Sequence, residues 1–231
     1  MKLNKLSAAS IAATVAIGSF SMLPGIAQAE TSASLTLSNM YLWRGVNLTP
    51  DGPALAASLD YSHESGVYAG VWTTNEDDGT ETDLYFGYAG EAGDFSYDIS
   101  YILYLYPEEG FTTDDPTVTP TNADLGDTDL SEIALGVGYK DFNAKFFISS
   151  DSDIVGSDYI YYTLDYTVGK YNILYGAWSF DEAGNNEYSH VTLSYAYNDE
   201  LTFAVNVAQE DIVDGVETDP LFVVSYSVPL K

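Results

Sequence analysis

The sequence has no cysteine. That excludes disulfides, thiolate nucleophiles and cysteine-ligated zinc. Basic residues are scarce: seven Lys and Arg stand against 35 Asp and Glu, for a net charge of −28, and Arg44 is the only arginine. Phosphate-backbone binding needs a basic face, so nucleic acid is excluded as a partner. There are two histidines, His63 and His190, far apart in the chain, and no zinc or triad spacing surrounds either. Beyond residue 29 no apolar run approaches the roughly 20 residues of a membrane helix, and helical periodicity is poor. Disorder is excluded by a 46% hydrophobic content that includes 20 tyrosines.

What is present begins with an export signal. Lys2 and Lys5 form a basic start, Ala8 to Phe20 a short apolar core, and Ala27-Gln28-Ala29 a small-x-small cleavage site. Residues 1–29 therefore read as a secretory signal peptide and 30–231 as one exported domain. Two of the seven basic residues leave with the signal while all 35 acids stay, so the exported part carries −30. Export without cysteine fits a Gram-negative envelope.

The exported part alternates with period two, the strand period. Leu55, Leu59 and Tyr61 face one way and Ala54, Ala56 and Asp60 the other; Leu201, Phe203, Val205 and Val207 alternate with Thr202, Ala204, Asn206 and Ala208. The alternation predicts twelve strands, near 33–47, 53–64, 67–75, 81–90, 94–106, 129–140, 142–150, 158–168, 170–180, 187–197, 200–209 and 219–229. Connections alternate between short turns and longer loops. The long ones, with their flanks, hold 23 of the 35 acids and no Lys or Arg. Apolar faces tend to end in tyrosine, while the opposite faces carry Gly, Ala, Ser and Thr. This is the pattern of an all-β, antiparallel up-and-down transmembrane β-barrel of about twelve strands, with short periplasmic turns, long outer loops and an aromatic girdle.

The stretch Tyr41-Leu42-Trp43-Arg44-Gly45-Val46, followed by Pro53-Ala54 and by Leu59-Asp60-Tyr61-Ser62-His63-Glu64-Ser65-Gly66-Val67-Tyr68-Ala69-Gly70, resembles the TorF-type porin family of proteobacteria. The match is dense over roughly the first third of the exported chain. The resemblance implies a secreted precursor and a cell outer-membrane β-barrel without catalytic residues.

Several polar residues fall on predicted inward positions: Arg44, Asp60, Asp83, Asp98, Glu132, Lys145, Asp165 and His190 are the candidate lumen or constriction residues. Arg44 reads as an inward residue of the first strand, with Asp60, Asp83 and Asp98 available to pair with it. The loop containing Asn75, Asp77, Asp78 and Glu81 gathers oxygen ligands around Gly79 and is a candidate for loosely bound Ca²⁺ or Mg²⁺; no other cofactor is expected. The Pro-, Thr- and Asp-rich stretch 107–128 reads as a surface loop or, alternatively, as a constriction folded into the mouth. His63-Glu64-Ser65 superficially matches the His-x-Ser of outer-membrane phospholipases but lacks the following Asn-Gly. The expectation is a passive channel for small hydrophilic solutes that prefers cations, with outer-membrane lipid, lipopolysaccharide and the barrel-assembly machinery as partners. The alternative is a non-conducting barrel that displays acidic loops as receptor, adhesin or envelope tether.

Overall fold

The computed structural model describes residues 29–77, 79–106, 130–151, 158–180, 188–209 and 218–230. Its strands are β1 (Glu30–Ser38), β2 (Leu42–Trp43), β3 (Val46–Asn47), β4 (Ala54–Ser62), β5 (Val67–Asn75), β6 (Thr80–Ala92), β7 (Phe95–Leu105), β8 (Leu130–Tyr139), β9 (Phe142–Asp151), β10 (Tyr159–Val168), β11 (Tyr171–Phe180), β12 (Ser189–Ala196), β13 (Leu201–Gln209) and β14 (Leu221–Leu230). Twelve of them, β1 and β4 to β14, form a closed antiparallel barrel, each pairing with its neighbours in order and β14 closing onto β1. β2 and β3 form a separate two-stranded ribbon. The expectation of a first strand reaching residue 47 is corrected: β1 stops at Ser38, and the chain then turns off the wall.

Alternation sorts the side chains as a barrel in hydrocarbon requires. Leu37, Phe86, Val137, Leu164 and Phe222 point outward and are 53–65% exposed, with many other large apolar residues around the wall. In water so large an apolar surface would drive association; in a bilayer it is the favourable solvent contact. Near the short turns the outer face becomes aromatic, with the ring pairs Tyr88–Tyr97, Phe95–Tyr139, Phe142–Tyr166 and Tyr171–Tyr195. The ammonium groups of Lys140 and Lys170 lie 5.1 and 5.9 Å from the ring centroids of Tyr139 and Tyr197, the grouping expected at a membrane–water boundary. Three two-residue hairpins at this end open on a residue with positive φ: Gly93, Lys140 and Gly169. That twist matches the right-handed twist of the flanking strands. Pro229 pairs with Ser34 of β1, past the last β13–β14 pair at Tyr226, where its missing N–H breaks no ladder on the β13 side.

On the inner face, tyrosines lie flat across glycines. Asp60, Gly70 and Tyr85 face one another across β4, β5 and β6, and with no Cβ at Gly70 the Tyr85 hydroxyl crosses it to Asp60. Tyr68 crosses Gly87 in the same way and donates to Asp98 at 2.7 Å. A Cβ at Gly87 would meet Tyr68 Cζ at 2.5 Å and the Ile99 carbonyl oxygen at 2.7 Å, and a backbone atom cannot rotate away. Gly87→Ala is therefore expected to destabilise the barrel by about 1–3 kcal/mol, the usual cost of overpacking. Urea unfolding in detergent micelles measures it, and an unchanged midpoint would show that the wall absorbs the methyl group.

Candidate functional site

Residues 39–53 leave the barrel wall and fold into the lumen from the long-loop end. Asn39 is the hinge: its amide N donates to Val224 O, its side-chain N donates to Phe222 O, and its side-chain O accepts from Val224 N at 2.7 Å. One residue thus completes the β14 ladder where β1 departs. The ribbon turns at Arg44-Gly45, between Trp43 and Val46, with φ of 48° and 95°. Positive φ at both central residues is the type I′ hairpin turn. Gly45 is needed twice over, because a Cβ there would also sit 3.0 Å from His190 Cγ. Arg44 occupies a left-handed conformation that costs about 1–2 kcal/mol, which its side-chain contacts must offset. Across the neck, Tyr41 N donates to Thr49 Oγ1 and Leu48 N to Tyr41 O, both at 2.8 Å. Leu42 packs against Ala204, Leu221 and Val223.

At the tip, Arg44 is 1% exposed and its partner Glu132, on β8, is 0% exposed. Both terminal guanidinium nitrogens donate to the two carboxylate oxygens at 2.6 Å, a parallel bidentate pair. Tyr104 and Tyr159 each donate to Glu132 at 2.7 Å, so the carboxylate accepts four bonds and its burial is compensated. The guanidinium carbon lies 4.5–5.1 Å from the ring centroids of Trp43, Phe147, Tyr161 and Trp178, within cation–π range. The hairpin backbone is held as well: Tyr188 donates to Arg44 O at 3.2 Å and Asn206 Nδ2 to Gly45 O at 3.4 Å. That fixes the Asn206 orientation, so its oxygen accepts from Thr192 and from His190 Nδ1, both at 2.9 Å. His190 Nδ1 is thereby the donor to Asn206, and Nε2 lies 2.8 Å from the Tyr161 hydroxyl.

A second anchor lies at the neck. Tyr41 donates to Glu81 at 2.9 Å and Tyr106 donates to the other Glu81 oxygen at 3.3 Å. Asp83 is buried beside them. Deeper, toward the short turns, the lumen is polar and partly buried. Asp98 and Lys145 flank Gly136 in one row across three strands, and Asn143 and Asn172 each donate to Asp165 at 3.1 Å.

Asp60, Asp83, Asp98, Glu132, Lys145, Asp165 and His190 thus all lie on inward positions of the wall. The expected pairing of Arg44 with Asp60, Asp83 or Asp98 is corrected, because Arg44 sits on the ribbon rather than on the wall and reaches Glu132. Among the described residues, Asn75 and Glu81 of the acidic loop point to different partners. The Asn75 side chain bonds Leu55 N and Pro53 O, Glu81 is turned into the lumen, and Asp78 lies outside the described residues. Among the described residues no group of three carboxylates or histidines is arranged to hold a metal ion. His63 Nδ1 bonds Ser65 Oγ at 2.8 Å and Ser65 N at 3.1 Å, which closes an exposed turn on itself. The stretch 107–128 lies outside the described residues. Sequence reasoning missed Tyr104, Tyr159, Tyr161, Trp178 and Asn206 as site residues. Their signal is a polar or amphipathic side chain on the inward parity of a strand's outer end.

A family model described as "Bacterial protein of unknown function (Gcw_chp)" matches residues 25–216. No curated protein matches the chain. Among solved structures, the KdgM porin is similar at 11% identity and a TM-score of 0.49, over 87% of this chain and 98% of that one. The KdgM porin in complex with disordered oligogalacturonate gives 9% identity and 0.47, over 87% and 99%. A triple mutant of the Rhodopseudomonas blastica porin gives 13% and 0.42, over 77% of this chain and 55% of that one.

Proposed function

We propose that this chain, which belongs to the Gcw_chp family, is a non-enzymatic outer-membrane channel of the TorF porin type, passing small hydrophilic solutes. The observation that carries this reading is a polar, partly buried lumen inside a closed wall with an apolar outer belt, narrowed by the chain's own hairpin. An up-and-down barrel of twelve strands lies between eight-stranded barrels filled by side chains and sixteen-stranded open pores. The 39–53 hairpin supplies the constriction, and the lipid bilayer, lipopolysaccharide and the barrel-assembly machinery are the partners the fold calls for. Loosely held Ca²⁺ or Mg²⁺ at the acidic outer loops belongs to the same proposal.

The charge distribution implies cation preference. The outer connections, with their flanks, hold 23 acids, and the one basic residue among them, Arg44, is paired with buried Glu132; such a field concentrates cations within about a Debye length, roughly 8 Å at physiological salt. The reversal potential across a planar bilayer under a salt gradient is expected to show cation selectivity that weakens as salt rises. If the stretch 107–128 folds into the pore, neutralising the acids between Glu108 and Asp129 is expected to reduce it more than neutralising Asp151 and Asp153; equal small effects would leave that stretch outside the pore. Anion selectivity would overturn the electrostatic argument. A second reading has its own support: the hairpin is fully buried at Tyr41 and Arg44, as in a closed barrel that displays acidic loops. An absence of conductance would favour it.

A further inference from the structure

The pocket around the Arg44 guanidinium is built almost wholly by the barrel wall. Glu132 comes from β8, Tyr104 from β7, Phe147 from β9, Tyr161 from β10 and Trp178 from β11, and Tyr159 of β10 donates to Glu132 beside them. These are five consecutive strands of a closed sheet. The carboxylate is also held by Tyr104 and Tyr159, both residues of the wall. What Arg44 adds is a planar cation with two parallel N–H donors, carried on a ribbon tethered through residues 39 and 53. Its Nε, the nitrogen nearest the backbone, has no partner among the described residues, so the pocket reads only the outer edge of the guanidinium.

We propose that this pocket is a binding site for small organic cations bearing a guanidinium or alkylated ammonium head, and that Arg44 is its tethered, displaceable occupant. The chemistry selects that class on three counts. A buried carboxylate whose wall donors, Tyr104 and Tyr159, are both neutral is best compensated by a cation. Two coplanar oxygens with 2.6 Å contacts favour a guanidinium edge over a point charge. Aromatic faces around the cation favour a weakly hydrated organic ion over Na⁺ or K⁺, whose hydration shells they cannot replace. A free ligand must compete with Arg44 at the high effective concentration a short tether gives, about millimolar or above. In the wild type, occupancy by solute therefore means release of the hairpin tip. The proposal deepens the channel reading by naming a solute class, but the binding itself does not depend on conductance.

The test uses Arg44→Ala, purified in detergent and titrated with methylguanidinium. Urea serves as the neutral planar control. At tenfold excess over its Kd, methylguanidinium is expected to raise the unfolding midpoint of Arg44→Ala by about 3–6 °C and to change the emission of Trp178, which forms one wall of the pocket. Urea at the same concentration should do neither, and Arg44→Ala/Glu132→Gln should not respond. The wild type should not respond at that concentration either. If Arg44→Ala does not fold alone, refolding with methylguanidinium is expected to recover it, with Arg44→Lys as the folding control. Equal effects of methylguanidinium and urea, or no effect on stability, emission or refolding, would overturn the proposal. In bilayers, arginine at concentrations high enough to displace the hairpin tip is expected to raise wild-type current more than its neutral isostere citrulline. A positive titration with no current at all would sink the channel reading and leave the site standing.

Discussion

Arg44→Ala is expected to lower the folding free energy of the barrel by about 3–5 kcal/mol, the usual cost of removing one member of a buried pair. The reason lies less in the lost attraction than in what remains. Glu132 is 0% exposed and keeps two tyrosine donors but no cation. The ring faces that had surrounded the guanidinium then front the carboxylate, and their negative charge makes its burial more costly still. The left-handed backbone at residue 44 also loses the contacts that offset it. Denaturant unfolding in micelles, read by tryptophan emission, measures the loss. Replacing both partners, as in Arg44→Met/Glu132→Leu, is expected to recover most of it, since apolar substitutes of similar volume remove the stranded charge. If Arg44→Ala leaves the midpoint unmoved, water reaches Glu132 and the pair is not buried in solution.

Replacing Met40–Leu48 by a short Gly-Ser linker is expected to raise single-channel conductance several-fold. The ribbon fills the outer part of the lumen with Tyr41, Leu42, Trp43 and Arg44, whereas the inner part is lined by the partly buried polar residues Asp60, Asp98, Lys145 and Asp165. All three tryptophans report on the change. Trp43 leaves with the ribbon, Trp72 loses its ring contact with Tyr41, and Trp178 loses its contact with Trp43. A red-shifted emission with unchanged conductance would place the conduction limit elsewhere in the barrel. The barrel itself should still close, because β1–β4 and β1–β14 pair without the ribbon.

The barrel was legible in the sequence because one physical signal dictates it. Lipid on one side and a filled lumen on the other force strict alternation, so Leu55, Leu59 and Tyr61 against Ala54 and Ala56 could be assigned to faces without a structure. The twelve predicted strands correspond to the twelve of the wall, with ends mostly within a few residues. The ribbon was not legible because Tyr41 and Trp43 keep the parity of Leu35 and Leu37, which hides the break at Ser38-Asn39. The only mark of the turn is Arg44-Gly45, and a positive φ at arginine is not a composition signal. Placing Arg44 on the wall then assigned it the wrong partners. Glu132 was recognised as inward, but its pairing with Arg44 depends on a chain excursion that no local pattern encodes. The aromatic cage was missed for a similar reason. Tyr104, Tyr159, Tyr161 and Trp178 are among many tyrosines and tryptophans, and only closure of the sheet shows which of them converge.

The hairpin also acts as a cross-brace. Every barrel strand pairs with its neighbours, and apart from β1–β14 closure those contacts join segments adjacent in the chain. A cylinder built that way has little to resist flattening into an ellipse. The ribbon rises from the β1–β4 seam and is fastened on one flank to Glu132 of β8 and on the other to Asn206 of β13, which ties residues 88 and 161 positions apart. Those ties can form only once both flanks exist, so the brace locks late in assembly, after most of the sheet has been laid down. A barrel whose brace is undone should therefore keep its circumference but lose its roundness, and soften first along the diameter the hairpin spans.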